Sequence, residues 1–189
     1  SVVVIESASC ARRLPYHPHK LTLVFSAMRH FRDALRDAGR TVYYYQRETF
    51  GDGLDAHFRD HPNDDLVMMR PASHGAAERM QGLVADRGGD LEIVDNEMYL
   101  CSRSEFDQWA TDQSGTYRHE DFYRHVRRET GYLLVDGEPV GGEWNYDDKN
   151  RETPPEDHDP PPVPRFEPDD LTRETEQWVA ERFSGGSEE

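Results

Sequence analysis

Trp144, Asn145, Asp147, Asn150 and Arg151 crowd into one short run, Glu138-Pro-Val-Gly-Gly-Glu-Trp-Asn-Tyr-Asp-Asp-Lys-Asn-Arg151. An indole face attracts cations and planar groups, and a guanidinium pairs with carboxylates or phosphates. Adjacent glycines between a proline and a tryptophan suit a tight turn that aims these side chains. Upstream, Arg124, His125, Arg127 and Arg128 concentrate positive charge on one helix of an acidic chain. Two readings stay open there. The arginines form i, i+4 ion pairs with Glu120, Asp121 and Glu129, or they dock another domain or a phosphate backbone. The turn likewise either pins the following segment to the domain or touches a ligand, partner domain or DNA. A third group, Glu6, Cys10, Arg12 and Arg13, follows the first β-branched run. Ligands of open parallel sheets lie beyond strand carboxyl ends, so these four stand on a binding edge. Otherwise they are loop residues whose arginines answer nearby carboxylates.

No other chemistry presents itself. His17 and His19 alternate, and His57 and His61 stand at i, i+4, but neither pair brings a third ligand at metal spacing. They are expected to be ordinary surface or loop histidines, with no metal. A nucleophile elbow, a P-loop and a dinucleotide fingerprint are all lacking. No two carboxylates are singled out as an acid and base pair, so no catalytic residue is assigned.

Composition narrows the class. Acidic residues number 38 against 22 basic ones, for a formal net charge of −16, and Lys20 and Lys149 are the only lysines. Such a chain does not grip nucleic acid unaided. Dense carboxylates are tolerable where salt screens them within a few ångströms, which points to a halophilic cytoplasm. Cys10 and Cys101 are too few for a disulfide framework and are expected to be buried small hydrophobes in a reducing compartment. No apolar run approaches the roughly 18 residues of a membrane span.

The elements that must position these groups are legible as a pattern. Val2–Ile5, Thr41–Tyr45, Leu66–Met69 and Leu91–Val94 read as strands. Leu21, Val24, Met28, Phe31 and Leu35 mark the buried stripe of a helix ending near Gly39. Leu54 and Phe58 suggest a second helix, and Ala76 to Val84 a third. Strand and helix therefore alternate, which predicts an α/β fold with a parallel, Rossmann-like sheet flanked by helices. Extra helices follow: one behind the capping box Ser102-Arg-Ser-Glu105, one from His119 to Thr130 stopping at Gly131. Leu133–Glu138 adds an extended segment and turn. Residues 143–189 carry 15 acidic and 5 basic side chains, and seven of the twelve prolines fall between Pro154 and Pro168. The expected organisation is an α/β domain over 1–142, an acidic Pro-rich linker over 143–168, and a last helix with a frayed end over 169–189.

These words together resemble the deoxyribodipyrimidine photolyase-related proteins, the iron-sulfur branch of prokaryotic photolyases and cryptochromes. The resemblance runs through Glu6, Tyr16-His-Pro-His-Lys-Leu21, Ser26-Ala-Met-Arg-His-Phe31 and Leu100-Cys-Ser-Arg-Ser-Glu-Phe106. It continues through Phe122-Tyr-Arg124, Arg127-Arg128, Thr130-Gly131, Gly141-Gly142, Trp144-Asn145 and Asn150-Arg151.

The resemblance implies the N-terminal, antenna-side domain of a larger flavoprotein that repairs (6-4) or cyclobutane pyrimidine photoproducts, or senses blue light. FAD and a four-iron, four-sulfur cluster would belong to a C-terminal helical domain, the partner of this one, through which damaged DNA is engaged. Cys10 and Cys101 cannot supply that cluster's four ligands. A lumazine antenna is implied at the sheet edge, where Ile5, Glu6, Cys10 and Arg13 match the family's lining positions but differ in type at Ile5, Cys10 and Arg13. Arg124, Arg127, Arg128, Trp144, Asn145, Asn150 and Arg151 are implied to face the partner domain or DNA. Relatives also carry a further strand before Val2–Ile5, so Val2–Ile5 and Leu66–Met69 are not expected to pair with each other. The alternative from another class is a stand-alone module binding a nucleotide or flavin-like ligand without catalysis.

Overall fold

A computed structural model describes residues 1–183, the side chain of Lys149 excepted; the expected frayed end, Ser184–Glu189, lies outside the described residues. Two compact units are formed, one from Ser1–Leu66, Gly75–Glu92 and the stretch from Pro164, the other from Val67–His74 and Ile93–Val163.

In the first unit, β1 (Val2–Ser7) and β2 (Val42–Arg47) pair in parallel, Val2 opposite Val42 through Ser7 opposite Arg47. A short helix α1 (Ala8–Arg12) follows β1, and α2 (Pro18–Asp37) makes the crossover to β2. Pro18 occupies the first turn of α2, where a missing N–H costs nothing, and His17 Nδ1 accepts from the His19 amide at 3.1 Å. Gly39 ends α2 at φ +74, a left-handed value that glycine adopts without strain. Helix α3 (Phe50–Asp60) begins in a reciprocal capping box between Thr49 and Asp52. It approaches β1 so closely that a Cβ on Gly53 would stand 2.6 to 3.0 Å from the Ile5 side chain. Helix α4 (Ala76–Ala85) completes the α/β alternation, and α7 (Asp170–Phe183) returns to pack along α2. Leu21 and Phe25 of α2, Val179 of α7 and Ala11 of α1 form a small core, with the Phe25 and Trp178 rings edge to face at 5.0 Å.

Strands β3 (Leu66–Met69) and β4 (Leu91–Val94) also pair. Their bonds, Leu66 N–H to Asp90 O and Arg70 N–H to Val94 O, climb both strands in the same direction, so the pair is parallel. Among the described residues β1 pairs with β2 alone and β3 with β4 alone. Helices and small parallel sheets thus make an α/β fold.

The second unit adds α5 (Arg103–Thr111), α6 (His119–Thr130) and an antiparallel hairpin of β5 (Leu134–Val135) and β6 (Glu138–Pro139). Ser102 and Glu105 form the expected capping box in front of α5. Phe106, Trp109 and Phe122 meet with ring centroids 5.0 to 5.7 Å apart, locking α5 against α6. No described helix is long and apolar enough to cross a membrane.

Three expectations are corrected. The expected stripe on α2 mixes two rows: Leu21 is buried, Met28 packs against the core and Leu35 is half-buried, but Val24 is 46% and Phe31 58% exposed. Phe25 and Arg29 continue the buried row instead, because residues four apart stack along one side of a helix. His57 is not a surface histidine; it is wholly enclosed by the rings of Tyr43, Tyr45, Phe58 and His61. The cysteines are not core residues: Cys10 is exposed and Cys101 half-buried.

Candidate functional site

Helix α6 sets Arg124, Arg127 and Arg128 on one face, since i, i+3 and i+4 are neighbours. Gly131 stops the helix in a left-handed conformation. The hairpin turns on Asp136 and Gly137, both at positive φ, the pair that a two-residue hairpin loop demands. Gly141 and Gly142, again both at positive φ, turn the chain once more. The result lays Trp144 on α6. Its ring lies 5.4, 5.1 and 4.8 Å from the guanidinium carbons of Arg124, Arg127 and Arg128.

The three arginines do different work. Arg127 is buried and saturated: it donates to Trp144 O and Tyr123 Oη, both at 2.9 Å, and to the carbonyls of Tyr132 and Leu133. It pins the turn to the helix. Arg124 pairs with Glu120 at 2.7 Å, whose other oxygen accepts from Asn145 Nδ2 at 2.8 Å. The Arg124 bond, followed by the Asn145 bond, holds the Glu120 carboxyl below its ordinary range. Arg128 is exposed, and among the described residues it has no hydrogen bond or ion pair; its guanidinium carbon lies 4.8 Å over the indole.

Beside this stack is a cavity of about 430 Å³, lined by Tyr123, Arg127, Val140, Trp144, Asn145 and Tyr146. The structure therefore joins Arg124, Arg127, Arg128, Trp144 and Asn145. It does not join the other two residues of the set. Asn150 bonds Asp147 locally at 3.0 Å, and Arg151 is exposed. Glu120 and Tyr123 belong to the cluster and were not picked out as site residues. Their signal was present in the i, i+4 pairs Glu120–Arg124 and Tyr123–Arg127. His125 lies instead against Trp109 and Phe122. The arrangement stacks and charges a surface, and His119, Glu120, Glu143 and Asp147 also line the cavity beside it.

The edge residues of the first unit are dispersed. Ile5 packs on Gly53 of α3. Glu6, its neighbour on an alternating strand, points the other way into a buried network. Arg29 donates to it twice, at 2.8 and 3.1 Å, Gln46 donates at 2.9 Å, and the Tyr44 hydroxyl donates as well. Burial first, then the bond to Glu6, pushes the Tyr44 phenol far above its ordinary value. Arg29 also donates to Thr175 of α7 at 3.2 Å and lies 4.6 Å over the Trp178 ring. Arg12 pairs with Glu48 at 2.7 Å. Arg13 lines a cavity of about 510 Å³ shared with Tyr16, Leu21 and Phe183. Ile5, Glu6, Cys10 and Arg13 thus do not meet around one cradle.

Comparison with known proteins bears on this arrangement. The family model of the deoxyribodipyrimidine photo-lyase-related proteins matches residues 1–187. A (6-4) photolyase of Agrobacterium fabrum (strain C58 / ATCC 33970) is 31% identical over 189 residues, covering 97% of this chain and 37% of that protein. The chain thus spans little more than a third of that relative's length. With a family match that takes in both the buried Glu6–Arg29 network and the Trp144 cluster, the chain belongs to the deoxyribodipyrimidine photo-lyase-related proteins.

Proposed function

We propose that this chain is the N-terminal, antenna-side domain of a photolyase- or cryptochrome-like flavoprotein acting on pyrimidine photoproducts in DNA or sensing blue light. The observation that carries the reading is the Trp144 stack: a platform of indole and guanidinium, with Arg128 exposed on it, in a strongly acidic chain. Such a surface suits contact, and the contact proposed is with the C-terminal helical domain that holds FAD and a four-iron cluster. Flavin, when bound there, supplies the electron for repair of a base that has left the stack. This chain has two cysteines, Cys10 exposed and Cys101 half-buried, and does not fit the four-thiolate cluster. Damaged DNA is then engaged through the whole protein, with Asn150 and Arg151 at the start of the exposed acidic segment on the DNA side. A lumazine antenna is the remaining element of the proposal. Because Ile5, Glu6, Cys10 and Arg13 form no common cradle, no step is routed through it. A family match running nearly the length of the chain does not favour the stand-alone ligand module.

The test compares the 189-residue chain alone with the chain co-produced with the remainder of its protein. Flavin absorbance and blue-light repair of a (6-4) oligonucleotide are expected only in the second preparation, and Trp144→Ala should weaken association of the two parts. Stoichiometric FAD or repair activity in the isolated chain overturns the reading.

A further inference from the structure

Helix α2 is apolar on two opposite sides. One side, carrying Leu21 and Phe25, is buried against α7 and the β1–β2 pair. On the other side Lys20, Val24, Ala27, Phe31, Ala34 and Ala38 recur with spacing 4-3-4-3-4. That is the seam spacing of helices that pack knobs into holes. All six are exposed, Val24 to 46% and Phe31 to 58%, and Leu23 beside them to 68%.

We propose that this seam pairs with the same seam of a second copy of the chain, the two α2 helices running antiparallel. The pattern is self-complementary about a point midway between Ala27 and Phe31. Rotation about that point sets Ala27 of one copy opposite Phe31 of the other, and Val24 opposite Ala34. Each large side chain then meets a small one, the fit that interdigitated packing needs. The same rotation brings Lys20 of one copy beside Asp37 of the other at both ends. Lys20 and Asp37 are exposed, and neither has an ion pair among the described residues; Lys20 lies only over the Tyr16 ring at 4.4 Å. A two-fold axis makes such a contact isologous and closed, so association stops at a dimer. One helix pair about 30 Å long is a small interface of the weak, reversible class. A charge of −16 on each copy opposes it until salt screens the repulsion.

Sedimentation equilibrium of the whole chain from about 5 to about 300 μM tests this, in 0.1, 0.3 and 2 M KCl. The expected result is a monomer–dimer equilibrium that tightens with salt. Phe31→Glu should abolish it without changing the circular dichroism, since the side chain is exposed. In 0.3 M KCl, Lys20→Glu should weaken the dimer about ten-fold by setting like charges together twice, and Lys20→Glu with Asp37→Lys should restore it. A monomer at every concentration and salt overturns the proposal. A dimer that survives Phe31→Glu, or one that the charge swap fails to restore, overturns it equally.

Discussion

Replacing Arg29 by methionine tests what holds α7 to the β1–β2 sheet. Arg29 and Glu6 are 3% and 2% exposed, and they are joined by two hydrogen bonds. Methionine keeps most of the stem's packing but removes the charge. Glu6 then keeps only the neutral donors of Tyr44 and Gln46. Breaking a buried ion pair from one side costs about 3–5 kcal/mol, because a charge stays behind without its counter-charge. The lost bond to Thr175 and the lost contact over Trp178 add to this on the side of α7.

A loss of about 4 kcal/mol is a large share of the roughly 5–15 kcal/mol that stabilises a domain. With a urea slope of about 2 kcal/mol per molar, the unfolding midpoint should fall by about 2 M. Adding Glu6→Gln removes the stranded charge, and since neutral replacement of a whole buried pair is often harmless, the double variant should regain most of the loss. Urea unfolding in 2 M KCl, followed by circular dichroism and by tryptophan emission, reads both numbers. An Arg29→Met loss below about 1 kcal/mol, or a double variant as unstable as the sum of its singles, refutes the reasoning.

Other expectations follow from the same structure. His57 is enclosed, and burial, the largest influence, lowers its pKa from 6.5 despite Asp64 at 3.2 Å from Nε2. The unfolded chain therefore binds the proton more readily, so stability should fall as pH drops below about 6.5; a urea midpoint equally acid-sensitive in His57→Phe contradicts this. Arg127→Met should cost about 3 kcal/mol and expose Trp144 to iodide quenching, because four bonds are lost at once and Trp144 O and Leu133 O keep only the Tyr123 hydroxyl and the Val140 amide. Arg128→Ala, at an exposed position, should change stability by less than about 0.5 kcal/mol. The melting temperature should climb from 0.1 to 3 M KCl as screening relieves the −16 charge, and a flat or falling curve counts against salt adaptation.

The elements were legible where a local signal and its tertiary use agree. Ser102 and Glu105 name a helix start by their own hydrogen bonds, and Gly131 names a helix end by its φ. Leu66–Met69 and Leu91–Val94 are short apolar runs, and they are strands with those bounds. The Trp144 cluster was legible in part for the same reason. Its arginines sit at helical spacing, and its glycines announce a turn. What the sequence does not carry is the turn's direction, which decides that Trp144 and Asn145 reach α6 while Asn150 bonds its own loop.

Two of the failures, on α2 and at His57, share one cause. Periodicity says that a residue lies on an apolar row, but it does not say which row receives a neighbour. On α2 two rows compete. The 3–4 spacing through Leu21, Val24, Met28, Phe31 and Leu35 joins members of both, so it reads as one stripe. The true buried row runs through Leu21, Phe25 and Arg29, and an arginine breaks the apolar pattern there. Arg29 is tolerated because Glu6 arrives from β1, Tyr44 and Gln46 surround that carboxylate from β2, and Trp178 covers the guanidinium from α7. His57 repeats the case on α3, where Tyr43 and Tyr45 of β2 close over a residue that alone reads as polar surface. In both places a polar side chain is buried by partners far away in sequence, and no window along one helix contains them.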